Sequence, residues 1–96
     1  MKEQVPKKID SVLDALIEQL GIRQKLDQYG IIPLWPEIVG AQIAKVTEVE
    51  RIDNGVLVIH VTNAPWRNEL TFRRKEILAK IHQRMNGDVI KDIRFR

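Results

Sequence analysis

The 96-residue chain has no cysteine, which excludes disulfides and thiolate metal sites and fits a reducing compartment. Its one serine, Ser11, stands at the start of a helical pattern, so a nucleophilic hydroxyl triad is not credible. Apolar runs are only a few residues long, and the first twenty residues alternate charge with apolar periodicity. That is neither a membrane span nor a signal peptide, and a soluble cytoplasmic protein is expected. The five glycines stand at 21, 30, 40, 55 and 87, so there is neither a G-x-x-x-x-G-K-[ST] triphosphate cradle nor a G-x-x-G backbone clamp. His60 and His82, the two histidines, have no second ligand at metal spacing, and Glu48 with Glu50 reads as a solvated strand edge. No enzyme, no cofactor, no metal site and no small-molecule substrate are predicted.

Charge is present, and it is unevenly placed. Residues 1–62 hold seven Lys/Arg against nine Asp/Glu, whereas residues 63–96 hold nine against four. Basicity is thus concentrated in the last third, an asymmetry that attracts phosphate backbones or an acidic protein, or that simply solvates a face. Most of it falls in Asn63–Asn86, which reads as one long helix. At 100° per residue, Trp66, Leu70, Ile77, Leu78, Ile81 and Met85 fall in one sector of about 120°, the stripe of a helix packed on a sheet. Arg73, Lys80 and Arg84 form a row along its border. Arg74 and Arg67 fall inside the apolar sector, and Phe72 points away from it. Either Arg74 snorkels past a packed stem, or that part of the face is a site.

Elsewhere the pattern is regular. Residues 1–8 are charged and read as a frayed end. Ile9, Val12, Leu13, Leu16, Ile17 and Leu20 follow the i, i+3, i+4, i+7 template, with Gly21 as a left-handed stop, and this helix is expected to cover the core, with a binding surface the alternative. Ile22, Leu26 and Tyr29 continue a helical spacing to Gly30. Pro33 and Pro36 then force a break and restart, with Pro36 in the first turn of a new helix and Trp35 anchoring the core, so a kinked helical region is expected from Ile22 to Ala44. VTEVERI and VLVIHVT flank Asp53-Asn54-Gly55, the strongest short hairpin signal. Leu57, Ile59 and Val61 should face the helices, leaving Val56, Val58 and His60 on a mixed outer face. Asn63 can cap the long helix, with Pro65 in its first turn. DVIKDIRFR, with Val89, Ile93 and Phe95 on one side, reads as a third strand. The result is an α+β domain over residues 9–96: N-terminal helices, a hairpin, a long helix and a third strand, with helices on one face of a three-stranded sheet.

The run LWPEIVGAQIA, the hairpin ending in GVLVIHV, then NAPWRNEL and the closing VIKDIRF together resemble the DciA family of bacterial proteins. The matching positions are Trp35, Val39 and Gly40; Leu57 and Ile59; Trp66, Glu69 and Leu70; and Ile93 with Phe95. The resemblance covers residues 9–96 in order. It implies a KH-like domain without the G-x-x-G clamp, and a non-ATPase that helps the replicative helicase, DnaB, engage single-stranded DNA. Trp66 is implied as a helicase contact, with core packing the alternative. Arg67, Arg73, Arg74, Lys80 and Arg84 are the expected contacts to DNA or helicase, weak and salt-sensitive toward single strands, with Arg94 and Arg96 extending a phosphate path. Many members carry a long basic extension; where that supplies much of the DNA or helicase affinity, the chain ending at Arg96 is expected either to do less or to rely on the basic helix. A general RNA or single-strand binding module, and a protein-interaction or dimerisation module, remain the alternatives.

Overall fold

The computed structural model describes residues 7–85 and 89–96, with side chains from residue 11 onward. The described elements run α1 (Lys7–Leu20), α2 (Arg23–Tyr29), α3 (Ile31–Val39), α4 (Ala41–Ala44), β1 (Thr47–Asp53), β2 (Val56–Val61), α5 (Ala64–Phe72), α6 (Arg74–Arg84) and β3 (Asp92–Phe95). Most of the frayed end expected at residues 1–8, and Asn86 and Gly87 after the long helix, lie outside the described residues.

The hairpin forms where Asn54 and Gly55 both take positive φ, 50° and 83°, as a tight turn between twisted strands requires. β1 and β2 pair antiparallel with Val49 opposite Ile59 and Ile52 opposite Leu57, and the register shifts between Val49 and Arg51 at a bulge. β3 returns parallel to β2 with Ile93 beside Leu57, so β2 is the central strand. Arg96 continues the ladder, donating its N–H to the Ile59 carbonyl at 2.9 Å. Asn63 caps α5 as expected, its side-chain oxygen accepting from the Trp66 N–H at 2.9 Å.

Leu57, Ile59 and Val61 line the inner face and meet Ile31, Trp35 and Ile38 of α3, Leu70 of α5, and Ile77 and Ile81 of α6. Trp35 is 3% exposed, and its indole N–H donates to Thr47 Oγ1 at 2.9 Å, which donates onward to the Ile43 carbonyl. An aromatic ring is thereby buried with its one polar atom satisfied. On the outer face Val58 is buried too, in register with Arg51 on one side and Arg94 on the other. The outer face is therefore less apolar than Val56, Val58 and His60 suggest.

Three expectations need correction. The long helix is two helices, because the ladder is interrupted at Arg73 (φ −94°, ψ 6°). One turn earlier the Thr71 hydroxyl donates to the Arg67 carbonyl at 2.8 Å, the back-bonding that bends helices. The break is mild, since every member of the apolar stripe from Trp66 to Met85 still lies in or against the core. Next, Gly30 keeps a right-handed φ of −61°, so α3 starts at once and Pro36 sits inside it while Pro33 occupies the first turn. Last, α1 forms with Gly21 as its left-handed stop (φ 67°), but it does not cover the core. Val12, Leu13, Leu16 and Leu20 are 62, 51, 47 and 60% exposed. The radius of gyration, 16.1 Å, exceeds the roughly 12.5 Å expected for a compact chain of this length, as a projecting helix requires.

Candidate partner-binding surfaces

α5 and α6 lay the expected cations along one side of the molecule, and each of them is held. Arg73 Nε donates to Glu69 at 2.8 Å, one turn back on the same helix. Lys80 stands 3.9 Å from Glu76, and Arg84 reaches across to Glu37 of α3 at 2.9 Å. The row is thus three cations beside three carboxylates, all about half exposed. Its net field is far weaker than the count of basic residues suggests. Arg74 snorkels: its guanidinium meets Asp92 at 2.6 Å at the start of β3, and the same Asp92 oxygen caps the Ile93 N–H. Arg67 is turned inward, one terminal N–H donating to the Val61 carbonyl at 3.2 Å while its Nε is buried with no partner among the described residues. Trp66 is half-buried against the core, and its other side lines a hollow of about 220 Å³ with Pro65, Glu69 and Arg73. Core packing and surface presentation therefore coexist in that one side chain. On the sheet's outer face Arg96 contacts Glu50 at 3.3 Å, and Arg94 is exposed beside Val58.

His60 is exposed, and a ring nitrogen of His82 lies 2.7 Å from the Ile90 carbonyl, tying α6 to the approach to β3. Among the described residues no group of His, Asp and Glu is arranged to hold a metal ion, and no helix is long and apolar enough to cross a membrane.

Three surface features were not legible as sites. The first is the uncovered apolar face of α1, flanked by Asp14 and Glu18, which both contact Arg23 of α2 at 3.4 and 3.0 Å. Glu18 first, then Asp14, holds the Arg23 guanidinium above its ordinary pKa. The second is Phe72, 80% exposed at the end of α5, whose outward direction the helical projection did indicate. The third is a polar groove of about 420 Å³ between α2 and the hairpin turn, where Lys25 and Lys91 come together from positions far apart in sequence.

The family model described as "Dna[CI] antecedent, DciA" matches residues 8–95, nearly the whole chain. The chain belongs to the DciA family. This DciA-family chain is 29% identical over 87 residues to a UPF0232 protein of Corynebacterium glutamicum, covering 91% of the chain and 49% of that relative. It is 28% identical over 91 residues to one of Streptomyces coelicolor (93% and 48%), and 26% identical over 90 residues to one of Rhodococcus jostii (94% and 48%). It spans about half the length of the curated relatives it matches.

Proposed function

We propose that this DciA-family chain is a non-enzymatic adaptor, a single KH-like domain over residues 9–96, that binds the DnaB-type replicative helicase and assists its engagement with single-stranded DNA. Membership of a family described as the antecedent of Dna[CI] supports a role in helicase loading. The observation that carries the protein-partner half is α1. Val12, Leu13, Leu16 and Leu20, four of the eight exposed large apolar side chains among the described residues, stand together along one helix face. Leaving such a stripe in water forfeits burial worth about 1.5–3 kcal/mol per fully covered leucine, which a partner surface would recover. Docking promotes loading only if the helicase's open state binds better than its closed one.

Arg73, Lys80 and Arg84, with Arg67, Arg74 and Trp66 nearby, are the proposed contacts to helicase or DNA. Exposed ion pairs are worth about 0–1 kcal/mol, so a phosphate or an acidic helicase surface can displace Glu69, Glu76 or Glu37 at little loss. The same exchange makes such contacts weak and salt-sensitive.

Calorimetry of the chain against the replicative helicase of its own organism, with and without single-stranded DNA at two salt concentrations, tests the reading. Binding that survives moderate salt and is lost in the Leu13→Ser/Leu16→Ser variant supports it. Absence of helicase binding, beside salt-sensitive binding to single strands, replaces it with a nucleic-acid module. The same open face also favours self-association as a second reading, and light scattering decides: a concentration-independent monomer removes the dimer.

A further inference from the structure

We propose that the groove between α2 and the β1–β2 turn binds the phosphodiester backbone of a single nucleic-acid strand, with Lys25 and Lys91 as its cationic contacts. The proposal rests on the single-strand half of the function proposed above and moves the contact to residues that reading does not use. Among the described residues, neither Lys25 nor Lys91 is within ion-pair distance of a carboxylate, whereas Arg73, Arg74, Lys80 and Arg84 all are. Asp53, the one carboxylate lining the groove among the described residues, is engaged by Arg51 Nε at 3.3 Å. Among the described residues the two lysine charges therefore face the groove without an ion-pair partner, and an anion entering it displaces none of them.

Lys91 is built into place. Its backbone N–H donates to the Gly55 carbonyl at 2.7 Å, and its stem crosses that glycine so closely that a methyl there would stand 3.1 Å from Cγ and Cδ. Holding the stem reduces the freedom that the ammonium must give up on binding. The rest of the lining suits phosphate oxygens. Gln24 and Gln28 from α2 and Asn54 from the turn bring neutral amide donors, and Gln28 is 8% exposed, its Nε2 directed to the Val89 carbonyl at 3.4 Å. Among the described residues no aromatic ring lines the groove, so backbone is held there and bases are not read.

Fluorescence anisotropy of a labelled oligothymidine with the full chain, across a salt series, tests the assignment. The variant is Lys25→Gln/Lys91→Gln, which keeps both stems and removes both charges; its melting temperature is measured alongside. Loss of two phosphate contacts should flatten the plot of log affinity against log salt by about 1.4 units, at 0.7 per contact on a single strand, and weaken low-salt binding about tenfold or more. Lys25→Arg/Lys91→Arg should restore both. Wild-type binding with a slope unchanged in the Gln variant overturns the groove and leaves the single-strand reading standing. No wild-type binding at low salt overturns both. Displacement of the oligonucleotide by inorganic phosphate, at concentrations where chloride of matched ionic strength has no effect, assigns the groove to free phosphate instead.

Discussion

Replacing Leu16 and Leu70 separately by alanine separates a helix with an open apolar face from a core helix within one molecule. Leu70 is fully buried in the core cluster, and Leu16 is 47% exposed on α1. Leu70→Ala gives up the whole transfer term and opens a cavity, a loss of about 2–5 kcal/mol. At Leu16 roughly half of the 1.5–3 kcal/mol for full burial is at stake and no enclosed cavity forms. Alanine is also the better helix former, so the net loss is about 0.5–1 kcal/mol. Against a total stability of roughly 5–14 kcal/mol for a chain of this length, the first variant loses a large share of it and the second a small one. Urea unfolding followed by circular dichroism gives both values, provided the m-value is unchanged. Equal losses in the two variants would refute the reasoning, because α1 would then be packed on the body in solution and its apolar face would need no partner.

Four further outcomes follow from the contacts described. Arg73→Ala/Lys80→Ala/Arg84→Ala removes three half-exposed pairs worth together about 1 kcal/mol, so calorimetry should show melting lowered by roughly 4–8 °C; a drop several times larger would make the row structural. Asn63→Ala should lose about 1 kcal/mol and Asn63→Asp almost none, since only the first leaves the Trp66 N–H without its cap; equal losses would mean the cap is not what holds the start of α5. Thr71→Ala should be neutral or stabilising by a few tenths of a kcal/mol, because the hydroxyl competes with the ladder; a loss above about 1 kcal/mol would mean the bend is needed. Trp35→Phe should cost about 1 kcal/mol for the missing hydrogen bond to Thr47 beyond any packing loss, and Thr47→Val combined with Trp35→Phe should add less than Thr47→Val costs alone in the wild type.

The hairpin, the cap at Asn63, the stop at Gly21 and the inward strand faces were legible because each rests on chemistry confined to a few neighbouring residues. Asn54-Gly55 permits positive φ, and Leu57, Ile59 and Val61 alternate onto one face. The break at Arg73 was not legible, because a threonine hydroxyl pointing back or outward leaves the same letter in the sequence. α1 shows a deeper limit. Its periodicity says that one face is meant to leave water, and says nothing about whether this chain or another covers it. Charge was partly legible and incompletely read. Glu69 and Glu76 stand four residues before Arg73 and Lys80, a spacing that announces pairing on a helix, whereas Glu37 reaches Arg84 only through the fold. A surplus of basic residues is therefore not yet a field. What attracts an anion is the charge left after local pairing, and among the described residues Lys25 and Lys91, without a carboxylate in ion-pair distance, meet in a groove that unites positions 25 and 91.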